Sequence, residues 1–155
     1  MLKWIATKII KMSETRTGLM GEHFAAGAIL AQGWSYAASP QDKFDGIAIS
    51  NNNDDLVLLV QVKTSSFILQ KGKRTPCYHF QLGSGSKNKK KPNNTKGKSD
   101  YDILALCGAK HRHCVFLHVS QVQQLSKRLQ GHHFTAENEA DTWAAAVQIA
   151  RELKR

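Results

Sequence analysis

The sequence predicts an α/β domain, a mixed β-sheet with helices packed on it. Three observations carry this expectation. Apolar residues near the N-terminus repeat at helical spacing, short apolar runs between Trp34 and Val119 have strand length and bounding turns, and the last twenty residues order their charges as a helix dipole prefers. A chain of 155 residues fits one domain, 1–155, able to bury about 70% of its unfolded surface without disulfides or metals. Hydrophobic residues at 41% and charged residues at 22% exclude global disorder.

Leu2, Ile5, Ile9 and Met12 lie on one helix face. Lys3, Lys8 and Lys11 interrupt that stretch too often for a signal-peptide core, and no run approaches the ~18 apolar residues of a membrane span. Ser13 has the chemistry of an N-cap for a second helix that stops at Gly33. Its small residues, Ala25 to Ala28, suit close packing on a sheet. WSYAA reads as a first strand, FDGIAIS (Phe44–Ser50) as a second, and LVLLVQVK (Leu56–Lys63) as the strongest strand, after the turn cluster NNNDD. YHFQL (Tyr78–Leu82) is a further strand, and YDILALC (Tyr101–Cys107) with CVFLHV (Cys114–Val119) forms a hairpin around GAKHRH. Ser120 is placed to cap a short helix, QVQQLSKRLQ, ending at Gly131. The final helix, from about Ala136, has Glu137, Glu139 and Asp141 early and Arg151, Lys154 and Arg155 late.

Lys plus Arg number 22 against 12 Asp plus Glu, a net charge of +10. That excess points to a polyanion, nucleic acid before a membrane surface. From Leu56 to Ser99 there is no acidic residue, while Lys63, Lys71, Lys73, Arg74, Lys87, Lys89, Lys90, Lys91, Lys96 and Lys98 all fall there. The densest part, at about 83–99, reads GSGSKNKKKPNNTKGKS, a composition that cannot pack a core and predicts a long mobile loop. Its lysines suit phosphate contact without fixed geometry, and the same composition also serves a solvated linker. Cys77, Cys107 and Cys114 form no even-numbered framework, which fits a reducing, cytoplasmic setting. Cys107, His111, His113 and Cys114 are zinc-compatible donors, but their spacing matches no familiar structural site.

Gln61 and Lys63 lie two apart near a strand end and project to one face. Asp45 lies in the preceding strand, with Asp42 as its rival, and Glu22 lies on the small-residue helix. Two carboxylates, an amide oxygen and a lysine suit a hard divalent metal beside a phosphate. The lysine can orient a water or stabilise developing phosphorane charge. Thr64 and Ser65 have the chemistry of phosphate hydrogen-bonders.

GEHFAAGAILAQGW, FDGIAIS and LLVQVKTSS together resemble the PD-(D/E)xK nuclease superfamily. The likeness is greatest to group I intron homing endonucleases of this fold and extends to archaeal Holliday-junction resolvases. DILAL (Asp102–Leu106) resembles the strand that follows the variable loop in these enzymes. Phe44 stands where the motif has its proline, and Gln61 where it usually has a second acid. The resemblance implies a restriction-endonuclease-like central sheet flanked by helices and a metal-dependent DNA endonuclease. Glu22, Asp45 and Gln61 would be the ligands of Mg²⁺, with Mn²⁺ as a substitute, and Lys63 would be catalytic. It also implies DNA as partner through Thr64, Ser65, Lys71, Lys73, Arg74 and the loop lysines. Cutting both strands needs two sites, hence a homodimer or higher assembly. The alternative is a non-catalytic nucleic-acid-binding module on the same fold.

Overall fold

The computed structural model of the chain describes residues 2–40, 43–67, 75–84, 91, 92 and 100–154. One helix, α1 (Leu2–Ala31), opens the chain. The sequence predicts a break near Ser13, but no proline removes a backbone donor there, and a capping side chain alone does not end a helix. Gly33 takes a left-handed φ of +78° and turns the chain out of α1. Strands β1 (Ser35–Ala38), β2 (Gly46–Ile49) and β3 (Val57–Ser65) form an antiparallel meander.

Strand β4 (Cys77–Gln81) leaves this sheet. Gly83–Ser84 (β5) and Lys91–Pro92 (β6) pair as a two-residue antiparallel ladder, so part of the lysine-rich segment is strand and not loop. Lys87, Lys89, Lys90, Lys96 and Lys98, with Lys71, Lys73 and Arg74, lie outside the described residues, as does Asp42. Strand β7 (Ile103–Gly108) pairs in parallel with β3, and β8 (His113–His118) returns as its hairpin partner. The mixed five-stranded sheet has the order β1-β2-β3-β7-β8.

QVQQLSKRLQ is not a helix. After a short 3₁₀ turn at Val119–Gln121 it becomes strand β9 (Ser126–Gln130), antiparallel to β4. The pairing sets Leu129 across from Tyr78 and Lys127 across from Phe80, so tertiary contact overrides helical propensity. The chain ends in α2 (Ala136–Leu153), with the Thr135 hydroxyl accepting from Asn138 N at 3.2 Å and Glu137 and Glu139 in the first turn.

Strand alternation divides the core into two layers. Leu58, Val60, Val62, Ile103, Ala105 and Phe116 meet Ala25 and Ile29 of α1 and Trp143, Ala146 and Val147 of α2. On the opposite face, Leu104, Leu106 and Val115 meet Tyr78, Phe80, Phe134 and Val122, and the β4–β9 ribbon forms the cover. Cys107 and Cys114, register partners in the β7–β8 hairpin, are joined by a disulfide, and Cys77 is buried. Two of the three cysteines therefore do form a pair, because hairpin pairing sets them directly opposite each other. No helix among the described residues is long and apolar enough to cross a membrane.

Candidate functional site

Strand β3 is nine residues long, yet β2 pairs only with Val57–Val60. Beyond Val60, β3 is hydrogen-bonded to β7 on one side only, which leaves a notch along Gln61–Ser65. Asp45, one residue before β2 begins, fills that notch. Its backbone N–H donates to Val60 O at 2.8 Å, and its Oδ2 accepts from Val62 N at 2.6 Å. The carboxylate thus occupies the place a paired strand would have taken, satisfying the β3 edge with a charged acceptor. The sequence sets Asp45 within a strand; its position just before one is what frees its side chain for this role.

Gln61 Nε2 donates to the same Asp45 oxygen at 2.6 Å. A glutamate at position 61 would press a second negative charge onto Asp45. The neutral amide instead holds the acid in place by donating to it. Both bonds reach Oδ2, and Oδ1 has no hydrogen-bond partner among the described residues.

Glu22 approaches from α1. The helix crosses β3 where Gly21 lies against Thr64, so closely that any Cβ at 21 would run into the Thr64 side chain. That contact sets Glu22 beside the notch. Glu22, Thr17, Gly18, Val62, Lys63, Thr64 and Ser66 line a cleft of about 350 Å³. The Glu22 carboxyl is raised above its ordinary 4.5 by desolvation first, then by the charge of Asp45, with His23 pulling the other way. Burial and the nearby Asp45 charge thus both act against ionisation of Glu22.

Tyr36 belongs to the site and was not evident from the sequence. It is pushed up to about 12 by burial, with Asp45 and Glu22 adding to the shift. Its ring and hydroxyl fill the space above Gly46, where a side chain would collide with them. The available signal was the β1–β2 pairing, which places Tyr36 across from Ala48, beside Gly46.

The structure thus brings Glu22, Asp45, Gln61, Lys63 and Thr64 to one notch. Ser65 differs. It is 8% exposed, its hydroxyl donates to Ser66 O at 3.2 Å, and it accepts from His79 N at 3.3 Å. This serine ties β4 to the end of β3, and Ser66 lines the cleft instead. Among the described residues no three His, Cys, Asp or Glu side chains group so that they could hold a metal ion. The zinc-compatible set around the hairpin is also not assembled, since its two cysteines are bonded to each other.

No family model and no curated protein matches the sequence. The solved structure of a bacterial homing endonuclease, I-Ssp6803I, superposes with a TM-score of 0.62 at 16% sequence identity, covering 91% of this chain and 97% of that one. The chain has that nuclease's fold. The fold class expected from the sequence, a mixed sheet flanked by helices, is the one observed.

Proposed function

We propose that this chain is a metal-dependent DNA endonuclease of the PD-(D/E)xK type. The observation that carries the reading is the notch, with Asp45 held at 2.6 Å by both Gln61 and Val62 N on the β3 edge, whose Val62, Lys63 and Thr64 line one cleft with Glu22. The fold shared with a bacterial homing endonuclease supports it. The donor set fits Mg²⁺, with Mn²⁺ as substitute. Asp45 and Glu22, close enough to influence each other's charge, would supply hard oxygen donors, and the Gln61 amide oxygen would add a third. When bound, the ion would supply positive charge to the scissile phosphate and lower the pKa of a coordinated water.

The chain's own residues do the remainder. Lys63, half-buried in the cleft, orients the attacking water and offsets charge that builds on the phosphorane. Gln61 keeps Asp45 from swinging away, and Thr64 and Ser66 present hydroxyls to flanking phosphate oxygens. The lysines between Lys71 and Lys98 add counterion release, and two-strand cleavage calls for a homodimer or higher assembly.

The decisive experiment incubates supercoiled plasmid and a synthetic four-way junction with Mg²⁺ or Mn²⁺, using wild type and Lys63→Ala. Cleavage by wild type that falls about 100-fold or more in the variant supports the assignment. Metal-independent binding with no cleavage of either substrate points to the non-catalytic module instead.

A further inference from the structure

Acidic side chains are absent from Ile103 through Ala136, which holds Lys110, Arg112, Lys127 and Arg128. On the helix side two cations of α2 and its C-terminus are paired: Arg151 with Asp54 at 2.9 Å and Lys154 with Asp102 at 3.5 Å. Among the described residues, none of Arg112, Lys127 and Arg128 meets a carboxylate. Unpaired cations on one side of the molecule make that side complementary to a polyanion.

The β4–β9 ribbon on this side has two distinct rows. Tyr78, Phe80 and Leu129 turn toward the sheet, and the alternate row presents His79, Gln81, Arg128 and Gln130 outward. Gln81, Arg128 and Gln130 are exposed, and Arg128 stands directly across from His79. The ribbon is held firmly beside the notch. His79 N donates to Ser65 Oγ at 3.3 Å, and the Tyr78 hydroxyl hydrogen-bonds His111 Nδ1 at 2.6 Å, which pins the β7–β8 turn to the ribbon's base.

Arginine and glutamine have a particular use on such a surface. Arg forms paired hydrogen bonds with guanine O6 and N7, and Gln with adenine N6 and N7. A two-stranded ribbon fits the major groove, about 12 Å wide, and its five-residue strands span roughly 17 Å. We propose that the β4–β9 ribbon enters the major groove of duplex DNA and reads base edges with Gln81, Arg128 and Gln130. The inference rests on the endonuclease reading above and adds the element that would give it sequence preference. Lysine-rich segments position a duplex; a fixed row of forked and amide side chains can distinguish its bases.

The test selects bound duplexes from a randomised pool in Mg²⁺, using the full-length Lys63→Ala chain as a non-cutting parent, then adds Arg128→Ala or Arg128→Lys. The parent is expected to enrich a motif. Arg128→Ala should lose the preference at one base position and bind the motif duplex roughly 5- to 150-fold more weakly, with an unchanged Tm because the side chain is exposed. Arg128→Lys should recover affinity for the pool without recovering the lost base, since an ammonium contacts phosphate but lacks the guanidinium fork. An identical motif from parent and Arg128→Ala overturns the proposal. So does a parent that binds the pool but enriches nothing, an outcome that leaves the endonuclease reading intact. A parent that fails to bind any duplex, beside a wild type that cuts none, overturns both.

Discussion

Under α1 and α2 the sheet is sealed by helices of 30 and 18 residues, and the buried layer between is aliphatic apart from Trp34, Trp143, Phe116 and the Cys107–Cys114 pair, with Phe24 and Tyr36 at its margin. Under the β4–β9 ribbon it is sealed by two five-residue strands, with Tyr78, Phe80 and Phe134 as the main filling. On the helix side Arg151 pairs with Asp54 and Lys154 with Asp102, while Arg112 and Arg128 on the ribbon side meet no carboxylate among the described residues. The two faces therefore differ in both the size of the cover and the pairing of the charges near it. The notch lies at their junction, taking Glu22 from the helix layer and Gln61 and Lys63 from the opposite row of β3.

If the notch serves chemistry and the helix layer serves stability, substitutions should separate the two. Asp45→Asn keeps an acceptor for Val62 N but removes the charge, so cleavage should fall about 100-fold or more while Tm barely moves. A matching drop in Tm would make Asp45 a structural edge-filler instead.

Trp143→Ala strikes the helix layer, where the indole meets Trp34 and Phe116 edge-on at 5.2 and 5.0 Å. Denaturant unfolding should show a loss of about 3–5 kcal/mol. Phe134→Ala removes the ring that meets Tyr78 edge-on at 4.7 Å on the other side. With a smaller cover to hold, it should open the ribbon first, so hydrogen exchange should quicken at β4 and β9 amides before those of β3 and β7. Simultaneous loss of protection in both layers would show that the two faces unfold as one unit.

The smallest effect expected is a titration. Glu22 has a folded pKa above its ordinary 4.5, so its contribution to stability is present below 4.5 and is lost as pH rises through the folded value. Activity runs the opposite way, because a cation needs the carboxylate, and the acidic limb of cleavage should lie above pH 4.5. Carboxyl NMR of Glu22 should show a lower midpoint in Asp45→Asn, which removes the repulsion but not the burial. An unmoved midpoint would mean that the two acids do not sense each other across the notch.

Most strands were legible as sequence. LVLLVQVK has the apolar density of a strand buried on both faces, and it is β3. FDGIAIS and DILAL were equally plain. Of the candidate site, Glu22, Asp45, Gln61 and Lys63 could be named because GEHFAAGAILAQGW, FDGIAIS and LLVQVKTSS resemble a nuclease motif and Gln61 and Lys63 lie two apart near a strand end. Tyr36 could not, since a tyrosine in a strand looks like packing until β1 pairs with β2 and carries its hydroxyl over Gly46. SKRLQ was misread because nothing nearby in the chain announces that β4 will supply its partner.

The sequence by itself determined which residues carry charge, which segments are apolar enough to be buried, and that positive charge is concentrated away from the acids of α2. Local periodicity and side-chain chemistry suffice for that. Only tertiary structure decided that β2 would stop four residues along β3, that Asp45 would fill the gap, and that the ribbon would close the second face. Those outcomes depend on hydrogen bonds between segments far apart in the chain. Backbone groups are alike in every residue, so their pairing leaves no local mark in the sequence.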